Sequence, residues 1–462
     1  MLRFPCLSLS ACALAAICAG AEPEISVLLA AVPSAAVPPT AGPPTAGPAG
    51  DSLPALVSEA MRNNPSIQAA EYQVKALRAS PDHAWSWEAP QVGVEFFQTP
   101  VKSFPNPLKN QQEIDYSLQQ AIPFPGKLAT RIRAEDRRVD MGAAELEALK
   151  HQLARDVKTD YYELFLLDRR MEINGESQAL MRRLIEIARR QYEVGMGRQA
   201  DILKAQTELT SLRTDSIGLA QMRRATAGML NALLNREADR PLPVAAELKV
   251  SEVGWTFAQI SGILEENHPK LRSMQASINM REAEKAMAGK EFLPEFMVRG
   301  TYKDMLAMSG SGEGSPGDFW SVMVSMNVPV AFWSLPRYRA GYVQGEANLA
   351  QSRREYANMR NMLLAKAQEA LLKAESGAEM ARLAKSVLVP QAQQALESDQ
   401  AAYQGGKGDF MTLLDAYRMR LNAKENAEMA IMQLSASQAD LEEAVGLGLD
   451  EIAQKLSEGA KR

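Results

Sequence analysis

The sequence predicts an α+β chain made by internal duplication, each half carrying two β-strands with unlike faces and then a pair of very long helices. Three observations lead there. Landmarks recur a little over 200 residues apart. Short runs alternate apolar with polar residues. The stretch from Gly126 to Arg240 lacks proline and repeats apolar residues every three or four positions.

The bulk numbers are those of a folded protein. Of 462 residues, 46% are hydrophobic and 23% charged, with a formal net charge of −5. That balance leaves no basic stripe for a nucleic-acid partner. Only 6% are aromatic, while Ala, Leu, Glu, Gln, Arg and Met abound, which favours helix. The cysteines, Cys6, Cys12 and Cys18, all stand near the N-terminus, so the body of the chain is expected to hold no disulfide and no thiolate metal site.

Residues 1–21 read as a signal peptide. Arg3 gives a positive start, an apolar run follows from Leu7 to Ala19, and Ala19-Gly20-Ala21 supplies a small-residue cleavage site. The run is too short to span a membrane as a helix. Leu9-Ser10-Ala11-Cys12 also has the pattern of a lipobox, which leaves lipidation of Cys12 open. Residues 22–50 are rich in Ala, Pro, Thr and Gly and read as a linker.

From Asp51 the chain repeats. Asn64-Pro65 returns as His268-Pro269, and Pro90 returns as Pro294, both at an offset of 204 (269 − 65; 294 − 90). Ile122-Pro123-Phe124 returns as Val328-Pro329-Val330 at 206, and the glycine-containing run from Tyr192 returns from Tyr403 at 211. The halves are 51–240 and 252–448, with 449–462 as a C-terminal tail.

Each half opens with two strands. Val92, Val94 and Phe96 oppose Gln91, Gly93 and Glu95, while Ile114, Tyr116, Leu118 and Ile122 oppose Glu113, Asp115, Ser117 and Gln119. In the second half Phe296, Val298, Gly300 and Tyr302 oppose Glu295, Arg299 and Lys303. Trp320, Val322, Val324, Met326 and Val328 oppose Ser321, Ser325 and Asn327. Such alternation fits a soluble sheet on a core or a transmembrane barrel, apolar to lipid and polar to a wet lumen. Long turn-rich links, Thr99 to Asn110 and Asp304 to Asp318, join the paired strands.

Helices follow. Leu146, Leu149, Leu153, Val157, Tyr161, Leu164 and Met171 lie on one face of a run from Lys127 to about Gln191, on the order of 100 Å long at 1.5 Å per residue. The run from Tyr338 to Tyr403 matches it, with Pro390 as the expected kink. Helices of this length require coiled-coil packing in a tube or rod. Gly195 and Gly197, and Gly405, Gly406 and Gly408, mark tight turns between helices, far in sequence from the strands.

Over residues 51–448 the chain resembles the TolC family of outer-membrane efflux channels. The motifs that carry the resemblance are Tyr-x-x-Gly-x-x-x-x-x-Asp-Ile-Leu-x-Ala (Tyr192 to Ala205) and Tyr-x-x-Gly-x-x-x-x-x-Thr-Leu-Leu-x-Ala (Tyr403 to Ala416). Ile122-Pro123-Phe124-Pro125-Gly126-Lys127-Leu128 is similar to the barrel-to-helix junction of members serving heavy-metal pumps, the CzcC-like branch. The resemblance implies a homotrimer. Each chain would give four strands to a 12-stranded β-barrel in outer-membrane lipid, continued by a coiled-coil helical barrel in the periplasm. It implies two partners, a periplasmic adaptor and an inner-membrane pump of the RND type, with heavy-metal cations or small toxic compounds as cargo. It also implies a gate at the helical tip. Asp201 and Tyr403 would form a closing hydrogen-bonded pair, and Asp415 a carboxylate ring favouring cations. The turns of that tip would be Gly195, Gly197, Gly406 and Gly408. Gly408 stands where familiar members carry a basic residue of the closing network, so the lock would be built differently here. Without the resemblance, Asp415 reads as part of a solvated helix face and Asp201 as a cap of its helix.

No catalytic constellation emerges, so no enzyme activity, cofactor or bound metal is expected. His83, His151 and His268 are scattered, and no P-loop is present. Gly310-Ser311-Gly312-Glu313-Gly314 reads as an exposed loop. The 23 methionines, among them Met305 with Met308 and Met323 with Met326, read as packing residues before Cu(I) ligands. Two other classes compete: a periplasmic adaptor, which needs only one helical hairpin, and a soluble coiled-coil scaffold, which needs no apolar strand face.

Overall fold

A computed structural model describes residues 52–97, 101–103, 105–106, 113–243, 248, 254–305, 317–329 and 331–459. The signal peptide, the linker, the Cys12 lipobox, Met308 and the loop 310–314 lie outside the described residues.

The first half runs α1 (Leu53–Asn63), α2 (Pro65–Arg78), α3 (Ser80–Trp85), β1 (Gln91–Phe97), β2 (Glu113–Ile122), α4 (Lys127–Glu193) and α5 (Gln199–Leu233). The second runs α6 (Phe257–Asn267), α7 (Pro269–Lys290), β3 (Phe296–Met305), β4 (Phe319–Met326), α8 (Leu335–Leu383), α9 (Val389–Gln404) and α10 (Phe410–Val445). A last helix, α11 (Leu449–Gly459), occupies what the sequence leaves as a tail. Its Ile452 is fully buried against α6 and α10 residues such as Ile260 and Leu441.

The two proline junctions are built alike. A residue before proline is pushed to extended backbone, which ends the preceding helix. Asn64 and His268 both obey, with ψ of 123° and 121°. Each then caps the next helix. Asn64 Oδ1 accepts from the Ser66 N–H at 2.8 Å, and His268 Nδ1 from the Lys270 N–H at 3.0 Å. Asn64 also donates to the Leu233 carbonyl, tying α1 and α2 to the end of α5.

α4 is one unbroken helix of 67 residues, about 100 Å long. Its partner in the second half is interrupted. Residues Ala384–Leu388 form a π-helical segment just before Pro390, which lacks an N–H for the Ser386 carbonyl. The Val389 N–H reaches the Ala384 carbonyl instead, so the strain of the proline is absorbed as one wide turn.

Two of the three apolar cores among the described residues repeat each other. One holds Leu56, Ala60, Ile67, Leu153, Val157, Leu230 and Leu234, and another holds Ile260, Leu264, Leu271, Leu363, Ala367, Leu441 and Val445. The offsets are 204 for the short helices (260 − 56), 210 for the first long helix (363 − 153) and 211 for its return (441 − 230). The third core lies at the helical tip and mixes both halves, with Met181 and Leu184 of α4 against Phe410, Leu414 and Tyr417 of α10.

The four strands form one antiparallel sheet in the order β1-β2-β3-β4. The register sets Val92 beside Leu118, Leu118 beside Gly300, and Gly300 beside Val322. Every apolar set proposed from alternation therefore falls on one common face. Met323 and Met326, three residues apart on β4, point to opposite faces.

Candidate functional site

The sheet inverts the usual burial. Its apolar side chains are the exposed ones: Val92 is 79% exposed, Trp320 78% and Val324 65%. On the other face Glu113 and Asp115 are only 9% exposed. Lys303 bridges them, its Nζ at 2.5 Å from Glu113 Oε1 and 3.2 Å from Asp115 Oδ2. Below this row Arg299 donates to Gln119 Oε1 at 2.5 Å, and Gln119 donates to Gln91 Oε1 at 2.6 Å. A soluble sheet would hide its apolar face on a core. This one presents a broad apolar wall, as a barrel in lipid must, and its hydrogen-bonded polar row on the other face runs from the buried Glu113 and Asp115 to the exposed Gln91. β2 and β3, at 10 residues each, extend about 34 Å, enough at a 45° tilt for the ~25 Å apolar belt of such barrels. Among the described residues β1 and β4 each pair with one strand only and so stand at the two ends of the sheet. None of the described helices is long and apolar enough to cross a membrane.

At the far end of α4 the two hairpin turns have the same backbone. Gly195 and Gly406 take positive φ, +78° and +69°. The Gly197 N–H reaches the Gln191 carbonyl at 2.9 Å, and the Gly408 N–H reaches the Ala402 carbonyl at 3.1 Å. A Cβ at Gly197 or Gly408 would stand 3.0 Å from the backbone nitrogen of Tyr192 or Tyr403.

The three candidate gate residues are placed differently. Tyr403 is 5% exposed, its ring edge-on to Phe410 with centroids 5.5 Å apart. Its hydroxyl is buried without a partner among the described residues. Burial, then the charges of Asp201 and Asp409, push the phenol's pKa up, so the group stays a neutral donor. Asp201 is also buried, and its carboxylate accepts from the Arg198 N–H at 3.3 Å, which is a cap of α5. The two side chains are thus neighbours, with no hydrogen bond between them within the chain. Asp415 is exposed on α10.

Other contacts hold the two hairpins together. Gln191 Nε2 donates to the Gln404 carbonyl at 2.8 Å, linking one turn to the other. Arg418 of α10 donates twice to Glu208 of α5, at 2.7 and 3.3 Å. Tyr417 donates to the Ser177 carbonyl of α4 at 3.2 Å. Sequence reading missed all three. Their partners are 210 to 240 residues apart, and the one available signal was the match of Tyr417 and Arg418 to the apolar and polar sides of a helix facing the other hairpin.

The sequence profile described as outer membrane efflux protein matches residues 56–236 and 261–447, two segments whose starts are 205 apart (261 − 56). The chain belongs to the outer membrane efflux protein family. Its site is the bacterial outer membrane, with the helical part in the periplasm, and it is a transport protein, not an enzyme. The adaptor alternative has no support. Solved structures agree in fold. The outer-membrane protein VceC from Vibrio cholerae is 17% identical with a TM-score of 0.73, covering 86% of this chain and 96% of that one. The outer-membrane channel OprN is 18% identical with a TM-score of 0.72, covering 86% and 90%. The open state of the MtrE outer-membrane channel from Neisseria gonorrhoeae is 18% identical with a TM-score of 0.66, covering 86% and 90%. No curated protein matches the chain by sequence.

Proposed function

We propose that three copies of this chain form the outer-membrane conduit of a tripartite efflux system, passively passing what an inner-membrane pump delivers. The observation that carries this is the sheet with an exposed apolar face, in which β1 and β4 each pair with one strand only among the described residues. In lipid an unpaired edge has no water to satisfy it, so β4 of one chain must pair with β1 of the next until the ring closes. Three sheets of four strands do so at a size that leaves a wet lumen. The helices then continue the tube about 100 Å into the periplasm.

The tip meets the partners. Val194 and Met196 on the first turn are 66% and 70% exposed, an apolar end that suits a periplasmic adaptor, with a pump of the RND type behind it. The unpartnered Tyr403 hydroxyl and the adjacent Asp201 supply the closing hydrogen bond, and threefold symmetry gathers the exposed Asp415 side chains into an anionic ring. The cargo is heavy-metal cations or small toxic compounds, selected by the pump.

The test is planar-bilayer recording of detergent-extracted protein, with its oligomeric mass measured in parallel. A trimer with cation-selective conductance is expected, and Asp415→Asn should lower the selectivity. A monomer without conductance would overturn the barrel.

A further inference from the structure

Two glycines stand inside the described strands, and only one of them has a reason within the chain. Gly93, on the polar face of β1, lies against Ser117: a Cβ there would stand 2.7 Å from the Ser117 Oγ. Gly300, on the apolar face of β3, has no such neighbour, and a Cβ there would meet nothing within 4 Å. Its backbone lies outside the left-handed region, and it pairs one to one with Leu118 and Val322, so no turn or bulge requires it. At the offset of 204 the first half has Phe96 in its place. A glycine inside a strand weakens it and, where no bulge or bend calls for it, marks a close approach by something else.

The surroundings of Gly300 form a seat. Leu118 and Val322 flank it on the same face, both exposed. One step toward the loop end, Tyr116, Tyr302 and Trp320 make a row across three strands, the two tyrosine rings 6.4 Å apart. The Tyr302 hydroxyl donates to the Asp318 carboxylate, which holds that ring toward the loop end and away from the glycine. These residues line an open apolar groove of about 500 Å³, with Gly300 as its floor and the aromatic row as its roof. α4 and α8 leave the sheet at the opposite end, after Ile122 and Met326, so the roof faces the outside of the cell. Tyr302 is three residues and Gly300 five from the end of β3, about 10 and 17 Å along the strand. Aromatic girdles mark the interface of a barrel wall with the headgroups, so the groove opens just beneath, in the acyl layer of the outer leaflet.

We propose that this groove is a lipid seat, in which one acyl chain of an outer-leaflet glycolipid of the lipid A type lies over Gly300 between Leu118 and Val322. This rests on the barrel reading above. The occupant follows from continuity: the groove is a dent in the wall that faces lipid, in the half of it that faces the outer leaflet. Wall and lipid tails are equally apolar, so apolar character alone holds no particular lipid; closeness of contact does. A concave site framed by rings gives a tail more atoms within van der Waals reach than a flat wall can. Any side chain at 300 would fill the place the tail takes, which accounts for the glycine.

Trp320, on the roof, reports occupancy. The full chain, extracted and stripped of lipid in detergent, is titrated with phosphatidylcholine whose acyl chains carry bromine, a contact quencher of indole emission. The same titration of Trp320→Phe subtracts Trp85, Trp87, Trp255 and Trp333. Quenching is expected to saturate near a single lipid per chain. Lipid A without bromine should reverse it at about a fivefold lower concentration than unbrominated phosphatidylcholine, a preference of the size that packing supplies. Gly300→Leu, which fills the floor, should abolish the saturation. Gly300→Ala should fall between, and it carries the test if the leucine variant does not assemble. Quenching that climbs without saturating in the parent, or saturates alike in the glycine variants, means an ordinary lipid annulus and ends the inference. Equal reversal by the two lipids ends it too, since the seat would then not belong to the outer leaflet. In vesicles made wholly of the brominated phosphatidylcholine, a Trp320 that stays bright would mean that the wall is not in lipid, and the barrel reading fails instead.

Discussion

The two tip hairpins share a backbone and differ in what surrounds it. Tyr192 and Tyr403 occupy the same place in their turns, yet the first is 48% exposed and the second 5%. Leu203 and Leu414, again equivalent at an offset of 211, are 56% and 3% exposed. Glycines fix the turn in both halves, so the chain path is settled locally. Burial is settled by neighbours: α10 lies against α4 as well as α9, whereas α5 touches little besides α4 over most of its length among the described residues. Duplication thus supplied two copies of one turn. One is packed, and the other stands open to solvent.

The largest effect should come from breaking that difference directly. Tyr403→Ala removes a buried aromatic ring and should cost about 3–5 kcal/mol. Tyr192→Ala should stay within about 0.5 kcal/mol, as exposed substitutions do. Thermal unfolding in detergent gives both. Single-channel conductance should rise in Tyr403→Ala and in Asp201→Ala and stay unchanged in Tyr192→Ala. Equal costs for the two tyrosines, or unchanged conductance in both gate variants, would remove the assignment of the lock to the second hairpin.

A second pair of equivalent residues, Asn64 and His268, sharpens the comparison through pH. Both cap a helix by accepting an N–H, but only the histidine titrates. Burial, then the nearby positive charges, depresses the His268 pKa from 6.5 to about 4. Protonation would occupy Nδ1, remove the cap and set a cation at a helix N-terminus. The unfolded chain therefore takes up a proton near pH 6.5 that the folded chain refuses until about pH 4. Stability from this residue is complete above the unfolded value and is lost as pH falls through the window, by up to about 3 kcal/mol. His268→Asn should flatten the melting temperature between pH 7 and 4 relative to the parent. Parallel curves would mean that the cap contributes nothing.

The glycines test the half of the comparison that is shared. Gly195→Ala and Gly406→Ala each force a side chain into the left-handed region and should cost about 1–2 kcal/mol, equally, since the strain is in the backbone. Unequal costs would mean that packing shapes the turn as well.

Much of this was legible in the sequence, for identifiable reasons. The duplication, the strands and the long helices rest on spacing, which survives without knowledge of neighbours. Which strand face turns outward was not legible, because alternation is symmetric; the register and the burial of Glu113 and Asp115 were needed. Pro390 announced an interruption without revealing that a wide turn would absorb it. α11 had a signal, Leu449, Ile452 and Leu456 at three- and four-residue spacing, that a short segment after two glycines easily hides. The gate positions came from resemblance alone, and the same motif in both halves could not say which tyrosine is buried.

The smallest effect concerns the contact that ties the unlike hairpins to each other. Arg418 and Glu208 form a two-pronged ion pair between α10 and α5, with Arg418 about half exposed. A pair so open to water stabilises the fold by only about 0.2–1 kcal/mol, so Glu208→Ala should barely move the melting temperature. Its position matters more than its strength. It joins the packed hairpin to the open one a few turns above the tip, where any splaying of α5 from α10 must part it. At the tip Gly408 offers no side chain, whereas Arg418 is a cation that crosses between the hairpins. Glu208→Ala should raise conductance modestly, and Glu208→Gln, which keeps one hydrogen bond without the charge, should fall between it and the parent. Raising the salt should bring all three together, since screening weakens an exposed pair first. If the three conductances coincide at low salt, the pair fastens neither hairpin and the brace lies in the Gln191 and Tyr417 contacts.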